Sequence, residues 1–466
     1  MISQYVNLKE INSGKHRFEG NYYLNKNAIL VRTLKRTSID CTELGKIANV
    51  FNPGIFKRMF CVKSSKSVQY FQSSDVPSVL ENSPVFVSKT QAKQLNLLVE
   101  PYDILVTGFG TIGNIRLVSK HQKDVCFANN VCRIRVNDKK HIGLVFSILS
   151  SKYGRSQLEK NASGSVVRYI EAPGIKKTLI PLFSDEFQEE INNLIMSALQ
   201  LREEATDSLK EAENVLKKRT GLNDLSNEDY DYYGPSDNSR EVSCFVRNIK
   251  DIGKVTFNAF NHSERIKRHV LAQLRSCNTI SFYDALDEDK LQSPTGVAVN
   301  EVEEGHGIML INQSDIFDQI VKGKWVAKKD KYTKDLLNKE EILIAKIGTL
   351  GESESFCRCI YIGEELEGQL ISSAFYRMKP NPEIPAGYLY TWLASDYGFR
   401  LIRSSQYGTK QCYPNPAILY DYPVPLLDKE SMLYIDGLVK EAHHKQHLAN
   451  DMIRKAVSLV ESEIEK

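Results

Sequence analysis

Residues 104 to 120 read ILVTGFGTIGNIRLVSK, and Gly108, Gly110 and Gly113 spell G-x-G-x-x-G. Such glycines cradle a pyrophosphate when a strand precedes them and a helix follows, because the anion then meets the helix N-terminus. Here NIRLVSK follows, and its apolar Ile115, Leu117 and Val118 predict a returning strand, so the reading is a turn between antiparallel strands. The chain also lacks G-x-x-x-x-G-K-[ST] and H-E-x-x-H, and Tyr413-Pro414-Asn415-Pro416 only superficially resembles the Asn-Pro-Pro-Tyr of amino-methyltransferases. No spacing singles out a nuclease carboxylate cluster, and the sequence offers no candidate catalytic residue. His443, His444 and His447 are spaced for one helical face, yet they fall outside the helix's apolar stripe and read as a solvated patch rather than a metal site.

Cations are more informative. Residues 1–183 hold 27 Lys/Arg against 12 Asp/Glu, a balance of +15 inside a chain whose net charge is +3, while residues 221–427 hold 23 against 29. A basic block in a nearly neutral chain is the footprint of a polyanion-binding surface. Candidate DNA contacts in the first half are Lys57, Arg58, Lys63, Lys66, Arg116, Arg133, Arg135, Arg168 and Tyr169. Those in the second half are Arg265, Lys267, Arg268, Lys346, Arg358, Arg377, Tyr407, Lys410 and Tyr413. Arginine can read guanine bidentately in the major groove, and lysine steadies the phosphate backbone.

These residues sit on a repeated framework. DILVTGFGTIG (103–113) matches EILIAKIGTLG (341–351) at an offset of 238 residues, and SSDV (73–76) matches QSDI (313–316) at 240. LSSKYG (149–154) matches LASDYG (393–398), and IPL (180–182) matches VPL (424–426), both at 244. Four matches in one order with slowly drifting offsets imply a duplicated unit. The duplication keeps G-T-[IL]-G and drops the glycine at the position of Gly108. NASGSVVRY (161–169) and SQYGTKQCY (405–413) hold equivalent places after a helix and read as exposed contact loops.

Each unit ends in a heptad pattern. The expected seam runs through Ile191, Leu194, Ala198, Leu201 and Ala205, and again through Ile435, Leu438, Ala442, Ala449 and Met452. Alanine at many seam positions favours close helix pairing, and residues 187–215 would make a rod of ~43 Å at ~1.5 Å per residue. The expected fold is α+β: two duplicated α/β domains separated by two long helices in an antiparallel coiled coil with pseudo-two-fold symmetry. The boundaries are 1–183 for the first domain, 184–220 for the first helix, 221–241 for an acidic linker, 242–427 for the second domain and 428–466 for the second helix. Strand-like segments dominate each domain, with helical interruptions at 143–159 and 386–402.

The 466 residues contain no stretch of about 20 apolar residues, and the start, MISQYVNLKE, lacks a secretory pattern. Nine scattered cysteines without a C-x-x-C pair read as reduced thiols, and the expected location is cytoplasmic.

The DILVTGFGTIG and EILIAKIGTLG stretches, the glycine-containing loops at 161–169 and 405–413, the IPL and VPL stretches and the FQEEI helix opening (187–191) together resemble the specificity (S) subunits of type I restriction-modification systems. Members of that family usually carry Glu-Gln before the final x-x-Ile, where this chain has Phe187-Gln188 and, in the second copy, SMLYI (431–435). The resemblance implies that the two α/β domains are target-recognition domains, in a subunit without its own active site that reads a bipartite site on double-stranded DNA, one half-site per domain. It implies two methyltransferase subunits and motor-nuclease subunits as partners, no membrane, and S-adenosylmethionine, ATP and magnesium used by those partners rather than by this chain. The alternatives are the equivalent subunit of a complex with fused methyltransferase and nuclease, or a protein-interaction scaffold without DNA specificity.

Overall fold

The computed structural model describes residues 25–80, 83–163, 168–225, 246–252, 255–262, 265–294, 299–351 and 354–466, with positions 8, 11, 23 and 296. The chain forms two compact units: residues 1–203 with 448–466, and residues 204–447. Most of the acidic linker expected at 221–241 lies outside the described residues.

In the first unit the elements run α1 (Lys26–Arg36), β1 (Cys41–Glu43), α2 (Leu44–Ile47), β2 (Ala48–Phe51), β3 (Phe60–Cys61), β4 (Ser67–Phe71), β5 (Phe86–Ser88) and α3 (Lys89–Gln94). They continue through β6 (Ile104–Thr107), β7 (Ile115–Leu117), β8 (Cys126–Phe127), β9 (Val131–Val136), α4 (Ile142–Ser150), α5 (Lys152–Asn161), α6 (Ala172–Lys176) and β10 (Leu179–Pro181) into α7 (Asp185–Thr220). Two four-stranded sheets, ordered β2-β9-β6-β7 and β3-β5-β4-β8, share the unit with the β1-β10 ribbon. Strand β6 is ILVT, buried at every position, as suits a central strand. Between and beside the sheets, Phe71, Val99, Leu105, Val118, Phe127 and Val131 make one core.

The second unit follows α7 with α8 (Arg265–Leu274), β11 (Thr279–Ser281), β12 (Ile308–Ile311), β13 (Lys324–Val326), β14 (Ile342–Ala345), β15 (Cys359–Tyr361), β16 (Leu370–Ile371) and β17 (Phe375–Met378). Then come α9 (Ala386–Ala394), α10 (Asp396–Ser404), β18 (Gln406–Tyr407), β19 (Tyr413–Pro414), α11 (Pro416–Leu419), β20 (Pro423–Pro425) and α12 (Lys429–Glu465). Its sheets are β15-β14-β17 and β13-β12-β16, with the ribbons β11-β20 and β18-β19.

Local arrangements recur between the units. The parallel pair Tyr70↔Cys126 and Phe71↔Phe127 has its counterpart in Leu310↔Leu370 and Ile311↔Ile371. Ser151 caps α5 by accepting from the Gly154 amide at 3.2 Å, as Ser395 caps α10 through Gly398 at 3.2 Å. A Cβ on Gly154 would lie 2.0 Å from the Ile148 carbonyl oxygen, and one on Gly398 2.1 Å from that of Trp392, so both helix corners demand glycine. The Gly143 amide donates to Asn192 Oδ1 at 2.9 Å, tying α4 to α7, and the Gly387 amide donates to Asp436 Oδ1 at 2.7 Å, tying α9 to α12. A Cβ there would meet the Cα of Asn192 at 2.4 Å and that of Asp436 at 2.9 Å.

The two long helices pack together with opposite chain directions. In the first unit the Arg202 guanidinium donates to Asn450 Oδ1 at 2.7 Å. In the second, Lys445 pairs with Glu204 at 3.0 Å, while Ala212 and Leu216 share a core with Met432, Ile435 and Val439. Helix α7 starts where Ser184 Oγ accepts from the Phe187 amide at 3.3 Å, and α12 where Asp428 accepts from the Ser431 amide at 2.9 Å. Gly221, at φ +73°, stops α7.

The expected seam is half right. Ile191, Ala198, Ala205, Ile435, Ala442 and Ala449 are fully buried, and so are Ile195, Leu216, Val439, Ala456 and Val460. Leu194, Leu201, Leu438 and Met452 are only half-buried, one position away from the buried stripe. Leu194 and Met452 line an open groove beside Glu186, Glu189 and Glu190. The steps from each isoleucine are four then three rather than three then four, in both helices alike. Alternation of three and four cannot tell these frames apart when large apolar residues occupy both flanks of the alanines. Ala198→Leu is expected to overpack this contact and cost about 1–3 kcal/mol in urea unfolding, whereas Leu201→Gln on the flank costs about 1 kcal/mol or less.

Candidate nucleic-acid interface

Strand β6 runs into Gly108, and β7 returns beside it with Ile104↔Leu117 and Val106↔Ile115 in register. The strand expected after Gly113 is therefore present, where a phosphate-binding loop would continue into a helix. Thr107 organises the turn: its hydroxyl donates to the Thr111 carbonyl at 2.6 Å and accepts from the Asn114 amide at 3.0 Å. Gly110 and Gly113 have φ +72° and +85°, which explains their residue type.

Gly108 serves another purpose. Its carbonyl accepts from the Ile170 amide at 2.8 Å, and a Cβ would lie 2.4 Å from the Ile170 oxygen. This contact joins the glycine turn to the loop after α5, where Ser163 and Tyr169 exchange two backbone hydrogen bonds at 2.8 and 2.9 Å. The rings of Phe109 and Tyr169 stack at 5.5 Å across the junction.

In the second unit Gly348 takes over the bridging role, exchanging backbone hydrogen bonds with Cys412 at 3.3 and 2.8 Å. The loop after α10 is the hairpin β18-β19, pairing Tyr407 with Tyr413, whose rings stack at 5.7 Å. Gly408 turns it at φ +99°, and Tyr407 through Gln411 are exposed. The hairpin's base is pinned by the Tyr376 hydroxyl donating to the Pro414 carbonyl at 3.2 Å. The glycine turn is thus welded to the Ser163↔Tyr169 bridge in the first unit and to an exposed hairpin in the second, juxtapositions of residues 62 and 64 positions apart that the sequence could not reveal.

Several expected DNA contacts are instead structural. Arg133 is fully buried; its guanidinium donates to the carbonyls of Val131 (2.6 Å), Ala128 (3.0 Å), Phe127 (2.6 Å) and Leu97 (2.9 Å), and burial lowers its pKa to about 10. Arg116 is buried against Gln122 at 2.9 Å and the Ser78 carbonyl at 2.6 Å. Arg377 clasps the buried Glu341 at 2.7 and 2.8 Å and also reaches the carbonyls of Asp335 and Leu336. These three cannot reach a duplex without unfolding their surroundings. Arg135 makes the matching pair in the first unit, bidentate to Asp103 at 2.9 and 3.2 Å, and keeps partial exposure.

Arg403, another cation of the second unit, is buried too and fastens the GTLG turn by donating to Leu350 and Gly351 carbonyls at 3.0 and 2.7 Å. Arg358 lies 4.7 Å over the Phe399 ring and donates to the Glu354 carbonyl at 3.1 Å. Lys346 lies 4.9 Å over Tyr376 and contacts Ser293 Oγ, with its pKa lowered by burial. Lys57, Arg58, Lys63, Lys66, Arg168, Tyr169, Tyr407 and Lys410 are exposed, and Tyr413 is half-buried. The side chains of Arg265, Lys267 and Arg268 lie outside the described residues.

The histidines of α12 form a solvated patch only in part: His444 is exposed and His447 half-buried, but His443 is covered. His443 packs against the rings of Tyr361 and Tyr390 at 4.8 and 5.8 Å, and burial lowers its pKa to about 4. Nδ1 of His444 lies 3.4 Å from Glu364, and that of His447 3.1 Å from Glu365. Helical spacing gave the shared face correctly but not the strand packed on it. Among the described residues no three His, Cys, Asp or Glu side chains converge as metal ligands, and no helix is long and apolar enough to cross a membrane. The eight described cysteines are unpaired.

No family model matches the sequence, and no curated protein does either. Among solved structures, the type I restriction-modification S subunit from M. genitalium is similar over 95% of this chain and 96% of its own, at 14% identity and a TM-score of 0.34. The HsdS subunit from Thermoanaerobacter tengcongensis is similar over 90% of this chain and 96% of its own, at 12% identity and a TM-score of 0.26. A chain from a study of complex assembly and conformational transition in the type I R-M system covers 90% of this one and 97% of its own, at 12% identity and a TM-score of 0.27. At such loose superposition the functional reading rests on this chain's own residues.

Arg133→Met removes the guanidinium from four carbonyls, of which those of Ala128 and Leu97 keep backbone donors, and is expected to cost about 3 kcal/mol in urea unfolding of the first unit. His443 has a folded pKa below its ordinary 6.5, so the unfolded chain binds the proton first as the pH falls. Stability is therefore expected to decline from pH 6.5 to about 4, by up to about 3 kcal/mol, and to level off below that. His443→Leu should flatten this component of the urea midpoint plotted against pH.

Proposed function

We propose that this chain is a non-catalytic DNA-recognition subunit of a type I restriction-modification complex. The observation that carries the reading is the recurrence, 244 residues apart, of a loop after a helix welded to a glycine turn: the Ser163↔Tyr169 bridge with Tyr169 stacked on Phe109 and an exposed Arg168 in one unit, and the β18-β19 hairpin with Tyr407 stacked on Tyr413 and an exposed Lys410 in the other. A two-stranded ribbon is one of the few elements that fits the major groove of B-DNA, where base edges are distinguishable. The two units are read as duplicated target-recognition domains, each taking one half of a bipartite site.

The paired helices α7 and α12 act as the ruler between half-sites and as the platform for two methyltransferase subunits, with motor-nuclease subunits joining for cleavage. A rod of ~43 Å spans ~13 base pairs at ~3.4 Å each. Methyl transfer and ATP-driven cleavage, with their S-adenosylmethionine, ATP and magnesium, belong to those partners.

Purified with a co-expressed methyltransferase, the chain should protect two short half-sites separated by a few base pairs in a footprint. A scaffold without DNA specificity would protect no sequence. Inserting seven residues into each of α7 and α12 should lengthen the spacer by about 3 base pairs; an unchanged spacer removes the ruler.

A further inference from the structure

The segment from the end of β2 through β3 exposes large apolar side chains. Ile55 is 91% exposed, Met59 57%, Phe60 59% and Val62 70%. Single exposed apolar residues are ordinary, but four within eight positions are not. The segment is also held in place. Phe56 and Phe60 both set their rings edge-on against the buried Tyr70, at 6.3 and 5.9 Å, and the Lys57 carbonyl accepts from Gln91 Nε2 at 3.4 Å. Strand β3 pairs with β5 through Phe60↔Val87 and Cys61↔Phe86. The tip is thus presented from fixed anchors at both ends.

Charge identifies the occupant. Lys57 and Arg58 lie between Ile55 and Met59, and Lys63 and Lys66 follow Val62, all exposed, and no Asp or Glu occurs from residue 44 to 74. An apolar edge with cations on both sides complements a duplex, whose base stack is apolar and whose phosphates flank it on both sides. Proteins that kink DNA insert Phe, Ile or Met between base steps in this way while basic residues hold the backbone.

We propose that the β2–β3 segment is an apolar wedge, in which Ile55, Met59 and Val62 insert between base steps of double-stranded DNA while Lys57, Arg58, Lys63 and Lys66 hold the adjacent phosphates. The wedge rests on the DNA-recognition reading and adds a deformation energy that is independent of the hairpins' base contacts. It favours flexible pyrimidine–purine steps at a position that no side chain reads.

The test uses the full-length chain and a closed-circular plasmid relaxed by topoisomerase, which supplies every base step and records unwinding as a change in linking number. The wild type should shift the topoisomer distribution. Ile55→Ser, Met59→Ser and Val62→Ser together should abolish the shift, with affinity for the plasmid falling by about ten-fold or less and the salt dependence unchanged. Phe60 is left in place so that its packing against Tyr70 is preserved. Lys57→Ala, Arg58→Ala, Lys63→Ala and Lys66→Ala should instead flatten the plot of log affinity against log salt by about 0.9 for each phosphate no longer neutralised. Plasmid binding without any topoisomer shift, or a shift that survives the serine substitutions, overturns the wedge and leaves DNA recognition standing. Absence of plasmid binding by the wild type overturns both. Self-association of the wild type without DNA, abolished by the serine substitutions, would overturn the wedge and reassign the segment to a surface shared with a second copy.

Discussion

Two backbone amides, those of Gly143 and Gly387, hold each globular part to its long helix, and the rest of the structure depends on that approach. Each donates to a side chain of the helix, Asn192 or Asp436, at a distance that leaves no space for a Cβ. The glycine lets the helix start of α4 or α9 touch the backbone of α7 or α12, and the carboxamide or carboxylate satisfies an amide that the helix start would leave orphaned. From that junction the α4–α5 and α9–α10 corners follow, each with a capping serine and a second obligatory glycine. The corners in turn deliver the hairpin-forming loops to the glycine turns.

The charged residues divide in a similar way between framework and surface. Buried arginines such as Arg133, Arg116, Arg377 and Arg403 hold loops by donating several hydrogen bonds to backbone carbonyls, a task that suits a planar guanidinium better than an ammonium. Of the exposed lysines and arginines, four lie close together at Lys57, Arg58, Lys63 and Lys66, and Arg168 and Lys410 lie in the loops after α5 and α10. A count of basic residues overstates the binding surface because part of the excess serves as internal scaffolding.

What could be read from the sequence follows from the range of the interactions involved. The turn in GTIG, the returning strand at Ile115, the helix start at Ser184 and the stop at Gly221 are local, set by glycine conformations and capping groups a few residues apart, and all are found as expected. The seam was displaced by one residue at Leu194, Leu201, Leu438 and Met452 because a heptad of mixed alanine and leucine fits two frames, and only packing chooses between them. Arg133 and His443 were misplaced for a related reason: their environments are built by Leu97 and Phe127 in one case and by Tyr361 and Tyr390 in the other, none of them predictable neighbours. The joining of Gly108 to Ile170, and of Gly348 to Cys412, is likewise a tertiary fact.

The central claim is that the loops after α5 and α10 each read their own half of a split DNA site. It is tested most directly by replacing Thr409, Lys410 and Gln411 at the tip of the β18-β19 hairpin and mapping the methylated motif in cells that also express a matching methyltransferase. The account predicts that bases change or relax in one half-site only, with the other half and the spacer kept. A motif altered in both halves, or unaltered in either, would contradict it.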